Sequence, residues 1–356
     1  MGAGALPAAA AIGADAARLS LERVEHPALS LRGLTIRFDA ATSQLELRVA
    51  RLRIGGHTLH QVEFNCPRAA LSYPVVECRG GNVRAARHPL PFGIDFRLDV
   101  VSREAHFVAA GQQGARVEAH LDPTGRVDAR IARLPIGDLV RHFPAAFPAL
   151  AAWGPSGLMD VKLVWLGSRP PGAPDGESVQ DARVASGRLS LTGGITNGAF
   201  GSADGQHAAE RLDVDLTLEA RAVAGGWQWG ASADWKSGAV YWHPLFVEAG
   251  SRVEASGLLN GDRLTVSTAS VRLEGVEALG ASAIFDLRRR QLTDAAFSVS
   301  GADLAVIGPR WLAPLIAPAA AQRLRFAGRV SAGLHFADGA WSELDAVFDA
   351  AGFSLP

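Results

Sequence analysis

Apolar and polar residues alternate at every second position along almost the whole chain, and no long stretch recurs at helical spacing. Successive side chains of a strand point to opposite faces, so this pattern implies strands with one apolar and one polar face. Leu45, Leu47 and Val49 share a face, as do Phe96, Leu98 and Val100; Leu212, Val214, Leu216 and Leu218; and Val330, Ala332, Leu334 and Phe336. In some runs the phase slips by one residue. Leu29 and Leu31 give way to Leu34, Ile36 and Phe38 across Gly33, and Val49 gives way to Leu52 and Ile54. An uncompensated slip would move the apolar set to the other face, so a β-bulge is expected at each, and bulges bend a sheet. Short turn signals ("DPTG", "NGD", "ADG") separate the runs. The absence of helical periodicity excludes a parallel α/β chain. The polar, Pro- and Gly-rich stretch 167–187 is the best candidate for a boundary.

Two segments break the alternation. "ARVEAHLDPTGRVDARIARLPIGDL" (115–139) aligns with "ASAIFDLRRRQLTDAAFSVSGADL" (281–304) with one residue of adjustment, and each leads through a Pro-broken apolar stretch into a Gly-led strand. The repeat unit is strand, turn, strand, Asp-Leu, short helical stretch, strand. Asp138 and Asp303 occupy equivalent places and suit helix N-caps, because a carboxylate accepts orphan N–H groups of a first turn. The prolines limit each helical stretch to a turn or two.

Residues arranged for chemistry are scarce. The net charge of −1 removes the electrostatic case for nucleic acid. His57 and His60, three apart on a strand, point to opposite faces, and no Cys or carboxylate cluster surrounds them at metal-ligand spacing. Neither a nucleophile elbow, a P-loop, a zinc-protease helix nor a dinucleotide fingerprint is present, so the chain reads as a non-enzyme without metal or cofactor. Trp227, Trp229, Trp235, Tyr241 and Trp242 cluster. Trp227 and Trp229 share a face, with Trp235 and Tyr241 expected to oppose them across a hairpin. Packing on the apolar face is the first reading of this cluster; sugar stacking or membrane-interface contact is the sharper one.

Cys66 and Cys78 each end a strand-like run, with Pro67 and Pro74 between them, which places them near one another across a hairpin or short loop. In an exported protein such a pair favours a disulfide, and in a reducing compartment it is two inert thiols. The opening "MGAGALPAAAAIGA" resembles the last part of a secretory signal without its positive beginning. No later stretch is long and apolar enough to span a bilayer as a helix.

The pattern "LPIGDL", Pro-rich turn, "SGLMDVKLVWLG", repeated as "GADL", Pro-rich turn, "AGRVSAGLHFADG", together with "ADWKSGAVYWHPLFVEAG" (233–250), resembles the AsmA-like family of bacterial envelope proteins. That family includes the TamB and YdbH relatives and, more distantly, the eukaryotic bridge-like lipid-transfer proteins. The likeness covers most of residues 18–356 and rests on patterning. It implies an all-β fold: an elongated, curled antiparallel sheet forming a repeating β-groove, with a few short helical inserts. It also implies a periplasmic or envelope lipid-transfer module that carries phospholipid or other acyl lipids along an apolar groove between membranes without chemistry. Its partners would be the inner or outer membrane or proteins embedded there. The alternative is an envelope structural or outer-membrane-assembly factor of the same fold without lipid cargo.

On this reading the groove floor includes Leu47, Leu98, Leu163, Leu216, Val266, Leu334 and Phe336. The covering inserts present Leu139, Phe143, Phe147 and Leu150, then Leu304, Ile307, Trp311 and Leu315. The expected division is a leader at 1–17, a first groove segment at 18–168 with its insert near 137–152, a polar loop at 169–186, and a second segment at 187–356 with its insert near 302–318. The family's N-terminal membrane anchor is missing and the chain stops at "AAGFSLP", two departures from the family that imply a fragment or an incomplete gene model and leave inner-membrane anchoring to a missing N-terminal segment.

Overall fold

The computed structural model describes residues 11–13, 16–26, 29–54, 57–85, 88–142, 148–167, 187–315, 325–337 and 340–354. The fold is all-β, an open antiparallel sheet that does not close into a barrel. The chain divides into two compact units, 1–134 with 138–148, and 135–137 with 149–356.

The first unit runs through β1 (Ala11–Gly13), β2 (Ala16–His26), β3 (Leu29–Asp39), β4 (Gln44–Ile54), β5 (His57–Cys66), β6 (Arg68–Ser72), β7 (Val75–Ala85), β8 (His88–Asp99), β9 (Glu104–Ala110), β10 (Arg116–Leu121) and β11 (Arg126–Pro135). Each strand pairs with its sequence neighbour, except that β5 and β6 both pair with β7. Pro67 separates β5 from β6, as expected of a residue without an N–H to donate.

The second unit contains β12 (Ser156–Leu166), β13 (Arg188–Gly201), β14 (His207–Val223), β15 (Gly226–Trp242), β16 (Leu245–Glu248), β17 (Arg252–Asn260), β18 (Arg263–Arg272), β19 (Ala278–Asp286), β20 (Gln291–Asp303), β21 (Arg325–Ala337) and β22 (Ala340–Ser354). It is again a meander, with β16 and β17 both pairing with β15.

Directly opposed residues share a face, so the registers sort the side chains. On β14 and β15, Val214, Leu216, Leu218 and Ala220 face Trp235, Ala233, Ala231 and Trp229. The alternate set pairs Asp215 with Asp234, Thr217 with Ser232 and Glu219 with Gly230.

The phase slips are real, but in the first unit they are not isolated bulges. Apolar positions jump by three in four successive strands: Leu21 to Val24, Leu31 to Leu34, Val49 to Leu52 and Leu59 to Val62. The residues passed over include Glu22, Gly33, Ala50 and Gln61, with left-handed φ of 63° at Gly33 and 50° at Gln61. The ladder resumes in unchanged register beyond them, Leu21 opposite Leu34 and then Arg23 opposite Arg32. An extra residue in one strand alone would offset its neighbour's apolar set, whereas one in every strand creases the sheet and keeps each face uniform. A Cβ on Gly33 would meet the Ala50 Cβ at 3.0 Å, so small residues occupy the crossing point.

A second crease crosses β13, β14 and β15 at Asn197, Arg211 and Gly238, whose φ values are 51°, 50° and 94°. Here the register does shift. The Asp213 carboxylate ties the strands together, accepting from the Ser237 hydroxyl at 2.6 Å and the Asn197 N–H at 2.8 Å. The Ser237 bond first, and then the Asn197 bond, hold this carboxyl below the usual range.

Several expectations need correction. The stretch 168–186 lies outside the described residues, but the strands flanking it, β12 and β13, pair along their length, so it connects neighbours within one unit. The boundary between the units falls at the first helical insert instead. A polar Pro- and Gly-rich loop reads the same in either role. Part of the expected leader is a strand: β1 pairs with Ala16–Arg18 of β2. Trp235 and Tyr241 do not oppose Trp227 and Trp229 across a hairpin, because all four lie on the unbroken β15, and the crease at Gly238 sends Tyr241 to the polar face.

Cys66 and Cys78 form a disulfide, with their Cα atoms 5.9 Å apart, inside a small core with Leu45 and Ala69. The β6–β7 hairpin sets Ala69 opposite Cys78 and brings the end of β5 alongside. Closing a loop of this length stabilises by about 3 kcal/mol. Cys66→Ser with Cys78→Ser should therefore lower the stability of the first unit by about that amount in urea titration. An unchanged midpoint would show that the bond constrains nothing.

Candidate functional site

The site is the apolar face of each unit. Leu98 stands between Val76 and Ala105, Leu163 opposite Leu191, and Leu216 between Gly193 and Ala233. Val266 stands between Gly257 and Ala283, Leu334 between Phe297 and Leu344, and Phe336 opposite Ala295 and Trp341. Leu47 lies between Ile36 and Phe64 and packs against the disulfide core, so it is partly covered by its own neighbours.

This face is left open. Leu98 is 38% exposed and Leu216 39%, although the strands on both sides set small or apolar residues against each. Among the described residues the buried apolar side chains are few, chiefly alanines, cysteines and single leucines. A sandwich would seal such a face against a second layer. Here the apolar face belongs to a single layer.

Aromatic rings gather toward the strand ends of the second unit. Trp165 of β12 and Trp227 of β15 touch at 5.3 Å between centroids, although two strands intervene and a flat sheet would hold their backbones about 14 Å apart. Both indoles lean inward over the face. The residues beneath are Gly187 and Ala222, joined by a 2.8 Å backbone hydrogen bond, and a Cβ on Gly187 would meet the Trp227 ring at 2.9 Å. At the other end Trp153 stacks on Phe200 at 5.3 Å, and His207 stacks on Trp242 at 4.0 Å. Trp153 also meets His207 and Trp242, each at 5.8 Å. The alternation does not single out Trp153, although an indole directly after the Pro-broken stretch is a usable signal.

The inserts are short. The first contains α1 (Ile136–His142) and α2 (Pro148–Ala152). Asp138 lies inside the first turn of α1 and pairs with Arg141 at 3.1 Å, so it is not the N-cap. Helix α1 begins directly at the end of β11, which places Asp138 past the capping position. Leu139 is half-buried, while Leu150 is exposed; Phe143 and Phe147 lie outside the described residues.

In the second insert, α3 (Leu304–Ile307), Asp303 is the N-cap and accepts from the Ala305 N–H at 2.9 Å. Leu304 is 1% exposed, Val306 packs against the Gly275 turn, and Gly308 sits against the Phe326 ring. The following π-turn, Gly308–Leu312, reaches β16. Ile307 and Trp311 are half-buried, but Leu315 is 63% exposed. Leu150, at 39% exposed, and Leu315 are the more exposed of these insert side chains.

The opposite face is polar and threaded with exposed ion pairs: Arg97 with Glu77 at 3.3 Å, Arg188 with Glu219 at 3.4 Å, and Lys236 with Asp215. Such pairs contribute little to stability and keep that face wet. No helix among the described residues is long and apolar enough to cross a membrane. No protein-family profile, curated protein or solved structure matches this chain.

Proposed function

We propose that the chain is a lipid-transfer module whose apolar face carries acyl chains, with the polar head in solvent and no chemical step. The observation that carries this reading is the open apolar face of a single-layer sheet, where Leu98 and Leu216 remain more than a third exposed. Each methylene moved from water onto such a surface gains about 0.8 kcal/mol, so a sixteen-carbon chain retains on the order of 12 kcal/mol while sheltered. Transfer along a uniform floor needs no catalyst and little selectivity. The resemblance to AsmA-like envelope proteins supports a periplasmic or envelope setting, with phospholipid as cargo and membranes or membrane-embedded proteins as donor and acceptor.

The test is native mass spectrometry of the full chain purified from the cells that express it. Retained acyl lipid supports the reading. A chain that never carries lipid, either as purified or after exposure to phospholipid vesicles, supports the envelope structural or assembly role without cargo.

A further inference from the structure

We propose that the polar face of the first unit carries a binding site for phosphoryl anions, formed by Arg23, Arg32, Arg51 and Arg53 with His60 beside them. Arg23 faces Arg32, Arg32 faces Arg51, and Arg51 faces His60, so one row crosses the four strands β2 to β5. Arg53 lies in the next row, between Ser30 and Thr58.

Directly opposed like charges destabilise a ladder. Several other opposed arginines of this sheet carry a nearby partner: Arg188 bonds Glu219, Arg221 bonds Gln228, and Arg252 pairs with Glu254. In this row only Arg23 does, donating to Glu25, which also accepts from the Ser30 hydroxyl. Among the described residues no carboxylate bonds Arg32, Arg51 or Arg53. The side chains line a depression of about 560 Å³ beside the crease at Gly33 and Gln61.

A guanidinium fork matches a tetrahedral oxyanion with two parallel hydrogen bonds, and several converging forks select a multiply charged one. Because the net charge is −1, the attraction is local to this row. The row is on the face opposite the apolar one, so the site stands or falls independently of acyl binding. The phosphoryl group can come from the headgroups of an anionic bilayer or from a soluble phosphoester.

The experiment uses the full chain with two probes: calorimetric titration with pyrophosphate, and flotation with phosphatidylcholine vesicles containing phosphatidylglycerol. Arg32→Gln with Arg51→Gln is expected to weaken binding at least tenfold. Arg18→Gln with Arg37→Gln, which removes the same charge from neighbouring exposed positions, is expected to change it less than twofold. Binding of pyrophosphate alone identifies a soluble phosphoester, and binding of vesicles alone a bilayer headgroup. Binding of neither probe, or equal losses in the two variants, overturns the proposal. Thermal melts confirm that both variants fold, and Arg53→Gln alone, expected to weaken binding about threefold, serves if the double variant does not.

Discussion

Leu98→Asp with Leu216→Asp should strip the chain of acyl cargo while leaving it folded. Both side chains are more than a third exposed on the open face, so a carboxylate at either position keeps its water and the sheet loses little. With lipid present the same carboxylate would have to be dehydrated against an acyl chain, or else push several methylenes out of contact. Losing three or four methylene contacts costs about 3 kcal/mol per position, on the order of a hundredfold in affinity for a lipid seated at either one. Bound lipid measured by native mass spectrometry should fall accordingly. Thr217→Asp, which adds the charge one residue away on the polar face, should leave loading unchanged. Equal effects from both faces would mean that the charge acts through stability or net repulsion.

The largest effect on stability is expected at Gly257. It faces Trp229 across β15 and Val266 across β18, at the point where the β17–β18 register shifts. A Cβ there would overlap the Thr265 carbonyl and press on the Trp229 ring at 3.0 Å. Overlap with a neighbouring backbone cannot be relieved by a rotamer change, so the ladder must move. Gly257→Val should cost about 3 kcal/mol or more and lower the melting midpoint of the second unit by roughly 6 °C or more. Gly201→Ala, where nothing lies within 4 Å of the added Cβ, is the matched control and should melt like the parent. A Gly257→Val protein that melts normally would show that the Trp229 contact and the β17–β18 register are wrong.

Which side of each strand is apolar can be read directly from the sequence, because alternation has a period of two and the strands pair in sequence order. The positions of the two inserts are legible for the same reason, since prolines interrupt the pattern in both copies. How the strands accommodate the slips is not. A single-strand reading of Leu31 to Leu34 calls for a bulge, and only the ladder shows that Glu22, Gly33, Ala50 and Gln61 slip together. Tyr241 falls on the side opposite to the one its spacing suggests, because one left-handed residue, Gly238, reverses phase without any change in composition. Asp138 and Asp303 align in sequence yet differ in role, because capping depends on where the backbone turns into the helix and a small offset decides it. Leu150 and Leu315 stay partly exposed although apolar, since a short insert has too few positions to aim all of its side chains inward.

Placing a photoreactive residue alternately at Leu216 and Thr217, and at Leu334 and His335, and recovering lipid adducts from cells, tests the central claim most directly. An acyl-bearing apolar face predicts adducts at Leu216 and Leu334 and none at Thr217 and His335. Adducts distributed equally over both faces, or absent from all four positions, would contradict it.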